Sequence, residues 1–260
     1  MNLSITVVVS CYNQSQILAQ ILTRLAQGSI IPAQVRIADD GSDKTTSELI
    51  NNLTQACNLN ITHHWQKDLG FRKCKILNQS IKSCDSDYVV LLDGDCLPHK
   101  HFVKDHMNLA KRGYFIQGRR CFIKENAVAS FLEGKASLLR LILAGKVSGL
   151  LKSIRLLKPV TRINQEMYGL LGCNLGAWRR DLLSVNGFDE DYEGWGREDS
   201  DLGARLYNLG LKRKLVYGRA LVYHLNHPEN KRDYLEDNDK KLEETISRGK
   251  IRCTNGLVKD

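Results

Sequence analysis

The first half of this 260-residue chain alternates short apolar runs with segments of helical periodicity, and this pattern restricts the fold more than any other feature. Apolar, β-branched runs predict strands, and segments with leucine or isoleucine every three or four residues predict helices. Strands that alternate with helices form βαβ units, in which the strands are parallel and the crossovers right-handed. The sequence therefore predicts an α/β domain with a mostly parallel sheet, with strands at 5–10, 34–38, 61–65 and 88–92 and helices at 15–27, 44–56 and 73–84.

The fourth predicted strand, at 88–92, is followed at once by Asp93, Gly94 and Asp95. A continuous apolar run is typical of a parallel strand that is covered on both faces. Ligands of open α/β sheets bind beyond the carboxyl ends of such strands. Glycine between the aspartates lets the backbone turn, so we expect both carboxylates to face one point and to hold a divalent cation that carries a nucleotide. By itself, however, Asp-Gly-Asp is equally compatible with an acidic turn.

Other polar residues follow the first two predicted strands. Asn13 lies just beyond the first strand, and Asp39 and Asp40 close the second. Because the carboxyl ends of parallel strands share one edge, we expect these side chains to lie in one crevice with Asp93 and Asp95. This convergence favours a cation and nucleotide site over the acidic turn.

A predicted helix at 101–112 and a strand-like stretch at 114–122 end the alternation, and a basic, leucine-rich segment follows. We interpret this segment as a basic helical insertion, which either rests on anionic lipid headgroups through residues 135–162 or packs its leucines on the core. Its positive charges do not interleave with aromatic residues as in a nucleic-acid-binding module, so we expect no nucleic-acid partner. Between residues 134 and 165 there is no acidic residue, and the basic ones are Lys135, Arg140, Lys146, Lys152, Arg155, Lys158 and Arg162.

Acidic residues surround Trp195 in the last third of the chain, after a glycine-rich stretch at 168–178 that would let backbone approach a ligand closely. Asp199 or Asp201 could cap a predicted helix at 202–209, but the stretch holds more carboxylates than one cap requires. The remaining predicted elements are a short helix at 180–185, one or two strands within 216–224 and a charged helix at 231–248.

Five motifs occur in order along the chain: Val8-Val-Ser-Cys-Tyr-Asn13, Ala38-Asp-Asp-Gly-Ser42, Gly70-Phe-Arg-Lys-Cys-Lys-Ile-Leu-Asn78, Leu92-Asp-Gly-Asp-Cys-Leu-Pro98, and a two-part motif, Asn186-Gly-Phe-Asp189 with Gly194-Trp-Gly-Arg-Glu-Asp-Ser-Asp201. The first four resemble the family 2 inverting glycosyltransferases of the GT-A fold, and most closely the transferase domains of chondroitin-polymerase-type bacterial enzymes. The fifth resembles the acceptor-side motif of β-1,4-galactosyltransferases. The resemblance covers residues from about 4 to 228.

The resemblance implies a Rossmann-like GT-A sheet flanked by helices. It also implies transfer of a hexose or N-acetylhexosamine from a UDP-sugar to a glycan or glycolipid, in the synthesis of cell-surface polysaccharide or lipopolysaccharide. Asp199 would be the general base and Glu198 would contact the donor sugar. Asp93, Asp95 and His224 would hold Mn²⁺ or Mg²⁺, with His227 as an alternative ligand. The UDP-sugar would be bound by Tyr12, Asn13, Asp39, Asp40, Arg72, Lys75, Asp93 and Gly94, and the acceptor by Gly194, Trp195 and Asp201.

Ser200 and Arg197 depart from the galactosyltransferase motif, so the donor sugar and the acceptor stay open. Two other functions also stay open. A nucleotidyltransferase would need a glycine-rich basic loop after the first strand, and residues 10–14 contain neither glycine nor a basic residue. A non-catalytic nucleotide- or glycan-binding module would not need the base Asp199.

We expect one domain over 1–260, in four parts: a nucleotide-sugar-binding half (1–122), the basic insertion (123–166), an acceptor and catalytic half (167–228) and a helical tail (229–260). The eight cysteines include no C-x-x-C pair, which indicates reduced thiols and a cytosolic protein. The amino terminus lacks the basic region of a signal peptide. We therefore expect a cytoplasmic location, at most peripheral at the inner face of the cytoplasmic membrane.

Overall fold

A mixed sheet of eight strands lies at the centre of the computed structural model, which describes residues 3–149, 154–227 and 232–259. The strands are β1 (Ile5–Cys11), β2 (Gln34–Asp39), β3 (Ile61–Trp65), β4 (Tyr88–Leu92), β5 (Cys96–Pro98), β6 (Tyr114–Gln117), β7 (Arg120–Ile123), β8 (Val147–Ser148), β9 (Val160–Asn164), β10 (Asn174–Trp178), β11 (Lys212–Tyr217) and β12 (Val222–Leu225). The helices are α1 (Ser15–Ala26), α2 (Lys44–Ala56), α3 (Lys73–Lys82), α4 (Phe102–Leu109), α5 (Glu125–Leu132), α6 (Leu138–Leu143), α7 (Arg179–Ser184), α8 (Glu198–Asn208) and α9 (Leu235–Ser247).

The large sheet has the strand order β3-β2-β1-β4-β10-β6-β11-β9. β1 is parallel to both β2 and β4, with Cys11 opposite Asp39 and Val9 opposite Leu92. The carboxyl ends of these three strands therefore lie at one edge, as the sequence predicts. β10 runs antiparallel to β4, so the sheet is mixed.

Helices cover both faces of the sheet, which explains the continuous apolar runs of its central strands. In β1, Val7 and Val9 belong to one buried cluster, with Ile21 of α1, and Val8 belongs to a second cluster, with Leu77 of α3. All five residues of β4 are buried. The two central strands thus form a rigid base for the loops at their carboxyl ends.

The stretch at 114–122 is two strands in two sheets, where the sequence predicts one strand. β6 belongs to the large sheet, and β7 pairs with β12 in a small sheet of order β5-β12-β7-β8. The small sheet places His224 of β12 opposite Cys96 of β5, one residue after Asp95. This pairing brings two distant parts of the sequence together at the edge of the large sheet.

The basic insertion is only partly helical, so the prediction of a helical insertion is corrected. α6 ends at Leu143 because Gly145 takes a positive φ of 64°, and the β-branched stretch at Val160–Asn164 forms β9, which pairs with β11 at the sheet edge. Lys152 lies outside the described residues. Arg155 lies outside the helices and therefore on no basic helix face. Its Nη2 atom is 2.7 Å from Asp105 Oδ1.

The helix predicted at 202–209 begins earlier, at Glu198. Arg197 precedes it with a positive φ of 74°, a conformation that favours glycine, and its guanidinium is held by Asp239. The early start places the carboxylates near Trp195 in the first turn of α8, where the helix dipole favours negative charge. The helical tail is described from residue 232 onward, and residues 228–231 lie outside the described part.

Candidate active site

A carboxylate and two imidazoles form the first group of side chains at the carboxyl edge of the large sheet. Asp95 lies between β4 and β5, His224 lies on β12, and His227 follows it. Asp95 Oδ2 is 3.2 Å from His224 Nε2 and 3.0 Å from His227 Nε2. One possible ligand atom from each residue lies within 4.8 Å of the other two.

This group has the composition of a divalent-cation site. Burial opposes the ionisation of Asp95, but hydrogen bonds with His224 and His227 hold the pKa of its carboxyl well below the usual range. Asp95 is therefore an anion at neutral pH. The sequence predicts Asp93, Asp95 and His224 as ligands, with His227 as the alternative. Among the residues that the structure describes, Asp95 lies with both histidines, and Asp93 is not a member of this group.

Asp93, the first aspartate of the turn, contacts a lysine instead of the histidines. Its Oδ1 atom accepts hydrogen bonds from Lys73 Nζ at 2.7 Å and from Ser10 Oγ at 3.3 Å. Glycine is needed between the aspartates, because a Cβ at Gly94 would lie 2.4 Å from the Ser10 carbonyl oxygen. The expectation that both carboxylates face one point is wrong: Asp95 faces the histidines and Asp93 faces Lys73.

Lys73 also connects Asp93 with two carboxylates at the start of α8. Its Nζ atom is 3.9 Å from Glu198 Oε1, and Asp199 Oδ2 accepts a hydrogen bond from the Gly172 N–H at 2.8 Å. These five residues line one narrow cavity. Burial disfavours the ammonium, but Asp93 and Glu198 raise the pKa of Lys73, so this lysine remains charged.

The two carboxylates of α8 have different surroundings. Burial, followed by the charge of Asp199, raises the pKa of Glu198 to about 7. Burial also raises the pKa of Asp199, although hydrogen bonds from the N–H groups of Gly172 and Ser200 oppose that rise. Asp199 is more exposed than Glu198. A carboxylate with a raised pKa is a stronger base than an ordinary one, so Asp199 is suited to accept a proton.

The two aspartates at the end of β2 are fixed by neighbouring groups. Asp39 is fully buried, accepts a hydrogen bond from the Ser42 N–H at 2.8 Å and contacts His63 Nε2 at 2.9 Å. Burial opposes its ionisation, but these contacts lower the pKa of Asp39. Asp40 accepts a hydrogen bond from the Arg72 N–H at 2.7 Å. Arg72 therefore reaches this edge through its backbone.

Tyr12 and Asn13 lie beyond β1 at the same edge. Tyr12 is half-exposed and its hydroxyl donates a hydrogen bond to Asp68 Oδ2 at 3.0 Å. Asn13 has a positive φ of 50°, and its side-chain oxygen accepts a hydrogen bond from the Asp43 N–H at 2.9 Å. By contrast, Lys75 is exposed on α3. The residues of this helix that meet the carboxylates are thus at its first turn.

Trp195 lies on the loop before α8, with 39% of its surface exposed, so it is not a core residue. The guanidinium carbon of Arg232 is 5.4 Å from the centroid of its ring. Gly194 has a positive φ of 62°, and a Cβ there would lie 2.5 Å from the Tyr234 ring. An exposed aromatic ring fixed by such a turn is a suitable platform for a sugar.

Asp201 does not share this exposure, and the prediction that it binds an acceptor is wrong. Its Oδ2 atom is 2.6 Å from Arg205 Nη2, and its Oδ1 atom accepts a hydrogen bond from the Thr245 hydroxyl at 2.8 Å. Both Asp201 and Arg205 are 0% exposed. Asp201 therefore joins α8 to α9.

Three residues near the carboxylates are absent from the sequence prediction: Lys73, His63 and Gln66. His63 contacts Asp39, and the Gln66 amide donates a hydrogen bond to Asp40 Oδ1 at 2.5 Å. Lys73 could have been found from helix geometry, because it lies four residues before the buried Leu77 and hence on the same face of α3. His63 and Gln66 carry no such signal.

Two family sequence models match the chain. "Glycosyl transferase family 2" matches residues 6–149. "N-terminal domain of galactosyltransferase" matches residues 156–228. The first match contains Asp93 and Asp95, and the second contains Asp199 and His224. Both agree with the motifs that carry the predicted resemblance and confirm it.

Similar curated proteins include polysaccharide synthases. The chain is 28% identical over 249 residues to the chondroitin synthase of Escherichia coli, and this match covers 88% of this chain and 36% of that protein. It is 26% identical over 269 residues to the hyaluronan synthase of Pasteurella multocida (96% of this chain, 27% of that protein). It is 24% identical over 225 residues to the validoxylamine A glucosyltransferase of Streptomyces hygroscopicus subsp. limoneus (80% and 48%). The chain thus spans less than half of the length of these relatives.

Solved structures with this fold include residues 1–349 of S. aureus TarS, with a TM-score of 0.63 and 15% identity over 95% of this chain and 65% of that chain. Another is the mannosyltransferase PcManGT from Pyrobaculum calidifontis in complex with GDP-Man and Mn²⁺, with a TM-score of 0.59 and 15% identity over 86% of this chain and 57% of that chain. These similarities confirm the predicted α/β fold with a large, mostly parallel sheet. No helix within the described ranges has both the length and the apolar character to cross a membrane.

Proposed function

Because this chain belongs to glycosyl transferase family 2, we propose that it transfers a hexose or N-acetylhexosamine from a UDP-sugar to a glycan acceptor with inversion at the anomeric carbon. The observation that supports this most is the position of Asp199. Its carboxylate lies beside Asp93 and Lys73 in one cavity at the edge where the nucleotide residues and the cation group also lie. The chain thus has a base and a leaving-group site at one place.

Asp199 accepts the proton of the attacking hydroxyl. The Gly172 N–H at 2.8 Å fixes one carboxylate oxygen and the Ser200 N–H at 2.7 Å fixes the other. Two fixed oxygens orient the base before the acceptor arrives. Glu198 lies deeper in the same cavity and contacts the donor sugar. A single in-line displacement by the activated hydroxyl then inverts the anomeric centre.

A divalent cation fits the group formed by Asp95, His224 and His227. One carboxylate oxygen and two imidazole nitrogens can approach one ion, and this donor set suits Mn²⁺ better than Mg²⁺, which prefers oxygen ligands. Asp95, His224 and His227 would hold the cation, which would supply positive charge for the leaving diphosphate. Asp93 orients Lys73 through the contact of 2.7 Å between Asp93 Oδ1 and Lys73 Nζ.

The uridine occupies the crevice beyond β1 and β2. Tyr12 offers an exposed ring for stacking on uracil, and Asn13 fixes the loop that carries it. Asp39 and Asp40 supply carboxylates for the base and ribose. Arg72 acts through its N–H on Asp40. Because Lys75 is exposed on α3, we assign the phosphate side to Lys73 instead.

The test is turnover of UDP-glucose, UDP-galactose and their N-acetylated forms with Mn²⁺. Asp199→Asn should reduce transfer at least about 100-fold, the usual range for a lost general base, and leave UDP affinity within about twofold. Glu193→Gln removes an exposed carboxylate from the same loop and should behave as the natural chain. Unchanged turnover in Asp199→Asn would refute this assignment. UDP binding without turnover of any donor would instead identify a binding module.

The acceptor is a growing cell-surface polysaccharide or lipopolysaccharide, and the chain works in the cytoplasm at the inner face of the membrane. Exposed leucines on the basic insertion support this location: Leu139, Leu143 and Leu157 are 65%, 79% and 95% exposed. In the sequence, Arg140 lies between Leu139 and Leu143, and Arg162 follows Leu157. Sedimentation with phosphatidylglycerol vesicles, but not with phosphatidylcholine vesicles, is expected at low salt. Equal sedimentation with both would contradict a membrane role.

A further inference from the structure

Arg120 is a guanidinium beside the candidate active site to which the proposed reaction gives no role. It is the first residue of β7 and is half-buried. Its Cζ atom lies 4.9 Å from the centroid of the Phe122 ring, and that ring lies 4.9 Å, between centroids, from the ring of His224. Stacking on Phe122 therefore fixes Arg120 one ring away from the cation group.

Cys173 connects Arg120 with the catalytic carboxylates. Arg120 Nη1 donates to Cys173 Sγ at 3.8 Å. The Cys173 carbonyl accepts a hydrogen bond from the Asp93 N–H at 3.4 Å, and the preceding residue, Gly172, binds Asp199. Gly172 and Cys173 thus connect the Arg120 guanidinium to Asp199, the base, and to Asp93, at the leaving-group site.

The donors of Arg120 lack a strong acceptor within the described ranges. Its hydrogen bond there is to a thiol, which is a weak acceptor. Two other half-buried arginines differ in this respect, because Arg155 and Arg219 lie 2.7 Å and 3.5 Å from Asp105. A guanidinium that is oriented by a stacked ring and lacks a carboxylate is suited to bind a carboxylate or phosphate through two parallel hydrogen bonds.

The strand order indicates which substrate carries the anion. The nucleotide residues follow β1 and β2, whereas the chain enters β7 from β6, and β4 and β10 lie between these two flanks. Arg120 therefore approaches Asp95 from the flank opposite the uridine crevice. We infer that Arg120 binds an anionic group of the acceptor, so the acceptor is a glycan that bears carboxylates or phosphates. This inference rests on the proposed transferase function.

The experiment measures acceptor binding by the full chain saturated with UDP and Mn²⁺, so its outcome does not depend on turnover. The probes are methyl β-glucuronide against methyl β-glucoside for a carboxylate, and glycerol 3-phosphate against glycerol for a phosphate. The natural chain should bind one of the anions about 10- to 100-fold more tightly than its neutral partner, the range of a charge-assisted bidentate contact. Arg120→Met should abolish that preference and leave UDP affinity unchanged, and Arg120→Lys should retain part of it.

Arg119→Met is the matched control, because Arg119 is the preceding residue and stacks on Tyr217 at 5.1 Å instead. It should keep the preference for the anion, and circular dichroism checks that each variant is folded. The inference is overturned if the natural chain binds both anions no better than the neutral probes. It is also overturned if Arg120→Met weakens UDP binding and keeps the preference, since Arg120 would then contact the donor diphosphate. Failure of the proposed function appears separately, as absence of UDP-sugar turnover.

Discussion

Replacement of Lys73 by methionine should move the acid limb of the pH–rate profile to higher pH. Lys73 Nζ is 2.7 Å from Asp93 Oδ1 and 3.9 Å from Glu198 Oε1, and the Lys73 and Glu198 side chains are only 21% and 11% exposed. At an effective dielectric constant of about 20, a charge pair at the longer separation is worth about 4 kcal/mol. That energy corresponds to about 3 pKa units, which we take as the upper limit because the cavity opens to solvent.

The surroundings of the carboxylates determine the direction in which the acid limb moves. Burial and the charge of Asp199 raise the pKa of Glu198 to about 7, and Lys73 opposes that rise. Without the ammonium the pair ionises at higher pH, so less base is available at neutrality. We expect the acid limb of kcat to move up by at least about one pH unit, with recovery of rate near pH 9.

The assay is donor turnover from pH 5 to 9.5 for the natural chain, Lys73→Met, Lys73→Arg and Lys75→Met. Lys73→Arg keeps the positive charge and should shift the limb less than Lys73→Met. Lys75→Met removes an exposed lysine from the same helix and should leave the profile unchanged. If the Lys73→Met profile coincides with that of the natural chain, Lys73 does not control the ionisation of the pair.

Two further predictions concern the ion pair and the cation group. Asp201→Asn should lower the free energy of unfolding by about 3–5 kcal/mol, because Arg205 would keep a buried charge without its partner. Urea unfolding measures this, with Glu243→Gln, at an exposed position of α9, as the control. Equal stability of the two variants would contradict the prediction. Chelation by EDTA should abolish transfer, and Mn²⁺ should restore it. His227→Ala should weaken Mn²⁺ binding at least about 10-fold through loss of one ligand. Electron paramagnetic resonance measures the Mn²⁺ affinity, and an unchanged affinity in His227→Ala would show that His227 is not a ligand.

The parts of the fold that follow from the sequence are those that local periodicity determines. β1 and β4 are continuous apolar runs, and α1 repeats its buried residues at helical spacing, so each is predicted close to its observed bounds. β9 is not predicted, because its residues are exposed on an edge strand and follow a leucine-rich stretch that suggests a helix. The pairing of β9 with β11 is a long-range contact that no local pattern encodes.

The candidate site shows the same division. Motif resemblance predicts that Asp95 and His224 share a site. That His227, and not Asp93, completes this group follows only from the pairing of β12 with β5. The ion pair of Arg155 with Asp105 joins residues 50 positions apart and removes that arginine from the predicted basic face. Asp201 belongs to the same motif as Asp199, yet its side chain turns inward to Arg205. A motif identifies a segment, and the helix phase decides which carboxylate is accessible.

The grouping of Asp95 with His224 and His227 makes the cation site depend on the small sheet. Asp95 and His227 are 132 positions apart in the sequence, and the pairing of β12 with β5 brings this part of the chain to Asp95. The aspartates at the end of β2 depend instead on the pairing of β2 with β1. Local unfolding of the small sheet would therefore separate the histidines from Asp95 and leave the aspartates of the uridine crevice in place.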